Sequence, residues 1–110
     1  MIVPKVTDKG LICCELKDFN HMKYSCYNIL EPDGSITCDI KDIDIIIVPG
    51  IAFDRSRHRI GYGKSYYDRL LKDAKCKKIG LAYDFQIVEK IPKDKWDISL
   101  DIVITDKQII

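Results

Sequence analysis

The chain has 110 residues, 46% of them hydrophobic and 32% charged, with 18 Lys and Arg against 17 Asp and Glu for a net charge of +1. That length suits one domain spanning residues 1–110, and the mixture is globular rather than disordered. The near-neutral balance supplies no bulk attraction to nucleic acid or to an anionic membrane, so a small-molecule partner is expected.

Taken in chain order, Met1 to Val6 and Leu11 to Leu16 read as short strands around a Lys9-Gly10 turn, and Glu31-Pro32-Asp33-Gly34 is a turn by composition. Ile43 to Val48 is a β-branched run broken only by Asp44, the pattern of a strand buried on both faces, and Pro49-Gly50 ends it. From Ser65 to Lys75 the apolar positions Tyr67, Leu70, Leu71 and Ala74 recur at helical spacing, with Asp68, Arg69, Lys72 and Asp73 on the remaining surface. Lys78 to Tyr83 and Ile98 to Thr105 then read as two further strands. The series predicts an α/β fold: a mostly parallel open sheet with helices on its faces, in three layers. Ligands in such sheets collect beyond the carboxyl ends of the strands, which directs attention to the segment after Val48.

The longest uncharged apolar stretch, Ile45 to Phe53, is far short of the roughly 20 residues needed to cross a bilayer, and no export signal is visible at the N-terminus. The five cysteines, Cys13, Cys14, Cys26, Cys38 and Cys76, are odd in number and include no C-x-x-C pair. They read as reduced thiols of a cytoplasmic protein, acting as small apolar side chains. In a strand, Cys13 and Cys14 would point to opposite faces.

Arg59-Ile60-Gly61-Tyr62-Gly63-Lys64-Ser65 is a glycine-containing turn leading into the predicted helix. Such a turn suits phosphate, because glycine lets backbone amides approach a ligand while Arg59 and Lys64 add positive charge. It is no P-loop: that motif needs a glycine five residues before Gly63, where His58 stands. A dinucleotide fingerprint fails too, since its third glycine would fall on Tyr66. Ser65 and Asp68 also fit a helix capping box. If a polyphosphate sits there instead, Asp68 would repel it unless a divalent cation lies between them, which makes Asp68 a metal candidate.

The run IIIVPGIAFDRSRHRIGYGKSYYDRLL closely resembles the nucleotide-binding signature of the 5-formyltetrahydrofolate cyclo-ligase family, a PG-x-AFD segment followed by an R-[LI]-G-x-G-[GK]-G-YYD loop. The resemblance extends to Val3-Pro4, to Asn28–Pro32, to Ala82–Gln86, and to Pro92 with Asp97–Thr105. It implies ATP-dependent ring closure of 5-formyltetrahydrofolate to 5,10-methenyltetrahydrofolate, with release of ADP and phosphate and a requirement for Mg2+. It further implies that Arg59, Ile60, Gly61, Tyr62, Gly63, Lys64, Ser65, Tyr66 and Tyr67 wrap the ATP phosphates. Tyr62, Gly63, Lys64, Ser65 and Tyr66 would also border the folate, and Asp68 and Asp97 would hold Mg2+. Asp101 is the second choice for the latter role, and a plain turn residue after Trp96 is the other reading of Asp97. Tyr67 is expected to pack inward.

Two departures from the family pattern stand out. Ser65 and Arg57 occupy positions where glycine is usual, and serine is expected to be tolerated. The family also ordinarily has several dozen residues before the strand that begins here at Met1, so the fold is expected to be shortened at the N-terminus. That would expose a sheet edge through which the chain could self-associate. A catalytically impaired nucleotide- or folate-binding remnant is the alternative to an active enzyme.

Overall fold

The computed structural model describes residues 1–8, 10–16, 20, 22–24, 30–32, 36–62, 65–92 and 97–110. Lys9, Cys26, Asn28, Asp33, Gly34, Gly63, Lys64 and Trp96, on which parts of the sequence reading rest, lie outside the described residues.

β1 (Ile2–Thr7) and β2 (Gly10–Glu15) form an antiparallel hairpin that closes where Thr7 pairs with Gly10. Gly10 has a φ of 107°, a backbone conformation open chiefly to glycine. β3 (Met22–Tyr24) and β4 (Leu30–Pro32) make a separate antiparallel pair. Glu31 ties that pair to the hairpin, its buried Oε2 accepting the Val6 amide at 2.8 Å. β5 (Thr37–Cys38) joins the other edge of β2, and a 3-10 turn at Ile40–Asp42 then leads into β6 (Ile45–Val48).

β6 begins the parallel sheet. The chain passes through a short hairpin of β7 (Ala52–Asp54) and β8 (Arg59–Ile60), then through helix α1 (Tyr66–Leu71), and returns as β9 (Lys77–Leu81). β10 (Ile87–Val88) pairs parallel with β7, and β11 (Ile102–Ile104) completes the main sheet in the order β11-β9-β6. All pairings in that three-stranded sheet are parallel, which makes β9 its centre and the molecule an α/β protein as expected.

Side chains on a strand alternate between faces, and here the two faces differ. Val48 and Val103 turn into a core with Phe53, Leu71 and Leu100, against which Ile46, Tyr67, Ala74 and Ile98 pack. The amphipathic stripe of α1 therefore does what its spacing predicts, with Tyr67, Leu71 and the following Ala74 covering this face. The opposite face carries Ile45, Ile47 and Leu81, all more than half exposed, so β6 is buried on one face and not on both as its unbroken β-branched run predicts. Among the described residues no helix covers it.

Four predicted elements are shorter than their patterns: α1 ends at Leu71 rather than Lys75, β6 starts at Ile45 rather than Ile43, and for the other two the hydrogen bonds show why. Ile98–Thr105 is a strand only over Ile102–Ile104, because the Leu100 amide goes to the Arg57 carbonyl at 2.9 Å and the Ile98 amide to Asp68 Oδ1 at 3.3 Å. The strand predicted to reach Tyr83 stops at Leu81, where a 3-10 turn at Asp84–Gln86 begins to form, Gln86 Oε1 accepting the Tyr83 amide at 2.8 Å.

Candidate functional site

The β7–β8 hairpin was invisible to periodicity, and it is what aims the site. Its core is Phe53, which is fully buried. A Cβ at Gly50 would meet the tip of that ring at 2.8 Å, and a Cβ at Gly80 would meet its Cε1 at 2.9 Å. The two glycines thus let the ring lie directly against the end of β6 and the middle of β9. Asp54, 1% exposed, organises the turn that follows. Its Oδ1 accepts the Ser56 and His58 amides, each at 2.9 Å, while Oδ2 accepts the Ile91 amide at 3.0 Å and lies 3.1 Å from His58 Nδ1. Burial alone would raise its pKa, but the amides of Ile91 and His58 and the His58 ring outweigh burial and hold it below the ordinary carboxylate range.

That turn delivers Arg59 to β8, facing Phe53 across the ladder. The Arg59 side chain is buried, donating from Nη1 to the Pro49 carbonyl at 3.1 Å, with Nη2 3.7 Å from Asp68 Oδ2. Its guanidinium lies 5.5 Å from the centre of the Tyr67 ring. Buried Nε has no hydrogen-bond partner among the described residues, a costly state for an N–H unless an acceptor arrives. Gly61 makes room for this arrangement, since a Cβ there would sit 2.8 Å from Nη1.

These groups line a cleft of about 310 Å3. Arg59, Ile60, Gly61, Tyr62, Ser65, Tyr66, Tyr67, Asp68 and Asp97 all border it. The cleft therefore collects every described residue of the predicted phosphate turn together with both predicted metal ligands. Ile91 and Pro92 complete its wall. Ile91 was missed by sequence reasoning, and the signal that could have found it is Asp54, whose carboxylate holds the Ile91 amide.

Asp101 does not belong to this group. Its Oδ2 accepts the Lys78 amide at 2.7 Å and its own amide donates to the Lys78 carbonyl at 2.9 Å, so it continues the β9–β11 pairing. The capping box is likewise absent: Ser65 makes no side-chain cap to α1 and sits in the left-handed region at φ 54°. Asp68 turns instead to Arg59 and to the Ile98 amide. The only other described non-glycine residue at positive φ is Arg57, at 66°. The two departures from the family's glycines are thus the two positions where the backbone adopts glycine-like angles.

A profile of the 5-formyltetrahydrofolate cyclo-ligase family matches residues 1–106. The chain belongs to this family. It is 51% identical over 65 residues to the 5-formyltetrahydrofolate cyclo-ligase of Mycoplasma genitalium, covering 57% of this chain and 39% of that protein. It is 38% identical over 80 residues to the Escherichia coli K12 cyclo-ligase, covering 64% of this chain and 44% of the relative. The NMR structure of Aquifex aeolicus 5,10-methenyltetrahydrofolate synthetase superposes with a TM-score of 0.85 at 40% identity, covering 98% of this chain and 56% of that one. A Mycoplasma pneumoniae 5,10-methenyltetrahydrofolate synthetase superposes with a TM-score of 0.72 at 30% identity, over 96% of this chain and 55% of the other. The chain thus spans about half the length of the relatives it matches.

The donor chemistry of this cyclo-ligase-family cleft fits Mg2+. Among the described residues no three His, Cys, Asp or Glu side chains gather to make an all-protein cage. Asp68 and Asp97 place two hard carboxylates at the cleft beside the predicted phosphate turn, Asp68 being engaged also by Arg59 and the Ile98 amide. Mg2+ commonly takes one or two carboxylates and completes its shell from water and substrate phosphates. Among the described residues no helix is long and apolar enough to cross a membrane.

Proposed function

We propose that this chain carries out the ATP-dependent cyclisation of 5-formyltetrahydrofolate to 5,10-methenyltetrahydrofolate, releasing ADP and phosphate, in the cytoplasm. Family membership supports the reaction, and the observation that carries the assignment to this site is Arg59. A buried guanidinium whose Nε has no partner among the described residues borders a glycine turn and two carboxylates, a combination suited to a polyphosphate with its cation.

In this reading Arg59 and the turn from Ile60 through Tyr67, including Gly63 and Lys64, bind and align the ATP phosphates. Asp68 and Asp97 hold Mg2+, which when bound neutralises charge on the transferring phosphoryl group. Tyr62 to Tyr66 border the folate, with Tyr62, 75% exposed, offering an open ring face to it. Phosphorylating the formyl oxygen turns a poor leaving group into phosphate and leaves an electrophilic carbon for the neighbouring folate nitrogen. The protein's share of the work is alignment and charge neutralisation rather than covalent chemistry.

The test is purified chain with Mg·ATP and 5-formyltetrahydrofolate, followed by the absorbance of the methenyl product. Product should form, and Arg59→Ala should abolish it. A second reading is nucleotide and folate binding without turnover. Calorimetry with Mg·ATP separates the two: binding without product supports the second, and neither binding nor product overturns both. Self-association through the outer edge of β6, beside exposed Ile45 and Ile47, is part of the proposal and is read by light scattering.

A further inference from the structure

β2 and β5 run antiparallel, with Cys13 opposite Cys38 and Cys14 opposite Thr37. The Glu15 amide donates to the Ile36 carbonyl at 2.9 Å, so Glu15 and Ile36 form a hydrogen-bonded pair. Such pairs alternate with non-hydrogen-bonded ones, so two residues along, Cys13 and Cys38 form the next hydrogen-bonded pair, with Cα atoms about 5.5 Å apart. A disulfide spans Cα separations of about 4.4–6.8 Å, and side chains directly opposite on a ladder share one face of the sheet; its Cβ atoms must come within about 3.5–4.5 Å, closer than the about 4.5–5.5 Å of an undistorted pair, so closure draws the two short strands together. Burial raises the pKa of the Cys13 thiol, and the negative charges that Cys38, Cys14, Asp39 and Cys76 would carry raise it further.

We propose that Cys13 and Cys38 are a redox modification site, closing to a reversible cross-strand disulfide when the protein meets a peroxide.

The two thiols differ in a way that orders the steps. Cys38 is half-buried, its Sγ 3.6 Å from the Asp39 carbonyl, so a small oxidant can reach it, whereas Cys13 is buried. Hydrogen peroxide oxidises the Cys38 thiolate to the sulfenic acid and leaves as hydroxide. The Cys13 thiolate then attacks that sulfur, forming the S–S bond and expelling a second hydroxide. Two thiols and one peroxide thus become one disulfide and two waters. Because burial keeps Cys13 protonated, closure should quicken as pH rises. A disulfide of this kind in a reducing compartment is transient, and reductant restores the thiols.

The site also has a structural connection to the cleft. Cys13 borders a groove together with Tyr67, and Tyr67 is a wall of the candidate nucleotide cleft on its other side. The staple would therefore fasten the hairpin that backs Tyr67 to the strand leading into β6.

The experiment is to treat the reduced full chain with hydrogen peroxide, quench by alkylation, and map linkages by mass spectrometry under non-reducing conditions. The expected product is one Cys13–Cys38 peptide, with a thermal midpoint raised by roughly 10 °C for a loop of about 25 residues and returned by dithiothreitol. Cys38→Ser and Cys38→Ala should keep the reduced protein's midpoint and lose the peroxide-induced rise. The inference is overturned if Cys13 and Cys38 are both recovered alkylated, if Cys13 is joined chiefly to Cys14, Cys26 or Cys76, or if the rise survives in the Cys38 variants.

Discussion

Gly61 and Arg59 occupy one space: the position a Cβ would take at residue 61 lies 2.8 Å from Arg59 Nη1. The guanidinium is held from its other sides by the Pro49 carbonyl and the Tyr67 ring, so it cannot give way freely. Gly61→Ala is therefore expected to displace Arg59 and weaken Mg·ATP binding by at least about tenfold, a loss of ~1.4 kcal/mol, measured by calorimetry. Thermal unfolding should fall as well, because displacing buried Arg59 loses its bond to the Pro49 carbonyl, so affinity is measured on the folded variant. Unchanged affinity would separate Arg59 from the phosphate role.

Ser65 pays for its left-handed backbone without a compensating cap. Ser65→Gly should stabilise the chain by ~0.5–1 kcal/mol, the relief of strain less the added freedom of glycine in the unfolded state. Arg57→Gly should yield less or nothing, although the backbone angle is similar, because Arg57 Nε donates to the Leu100 carbonyl at 3.2 Å and that bond would go. Urea denaturation of the two variants side by side distinguishes these outcomes.

Asp54 predicts a pH dependence with a definite sign. Its folded-state pKa is depressed, so its contribution to stability is full above the unfolded value near about 4 and is lost as pH falls through and below it. Asp54→Asn should cost ~2–3 kcal/mol at pH 7, since an amide nitrogen cannot accept the bonds that one carboxylate oxygen now takes. The gap between wild type and variant should narrow below about pH 4 in denaturant titrations.

The two metal-ligand choices separate cleanly. Asp97→Asn should raise the Mg2+ concentration needed for ATP binding severalfold, whereas Asp101→Ala should leave it unchanged and instead lower stability through the lost bond to the Lys78 amide. A Mg2+ titration followed by nucleotide affinity, with thermal unfolding as the second readout, checks both.

Much of this was legible from the residues alone, and what escaped has a physical reason. The β-branched run ending at Val48 shows itself as a strand by composition, although it is buried on one face rather than on both, and the stripe of Tyr67, Leu71 and Ala74 shows itself because burial on one surface imposes a period. The turn from Arg59 to Asp68 was recognisable by its glycines and charges. Its β7–β8 hairpin was not, since two- and three-residue strands are too short to show a period. Asp54 also reads as an ordinary acidic residue until the amides that surround it are seen. Ser65 misled in the other direction: its spacing to Asp68 matched a cap, but the left-handed entry into α1 and the pull of Arg59 and Ile98 on Asp68 leave no such pair.

Phe53 has one more consequence. Its ring fills side-chain volume that both Gly50 and Gly80 have surrendered, and the Gly80 side of that space is shared with Leu100, whose Cδ1 would lie 2.8 Å from an added Cβ. No one of these positions can drift by itself, because a larger residue at either glycine demands a smaller ring, and a smaller ring opens a void between the two strands. Over evolutionary time the set should therefore change in concert or not at all, so that the span between the strand ends, and with it the reach of Arg59, is inherited as a single unit.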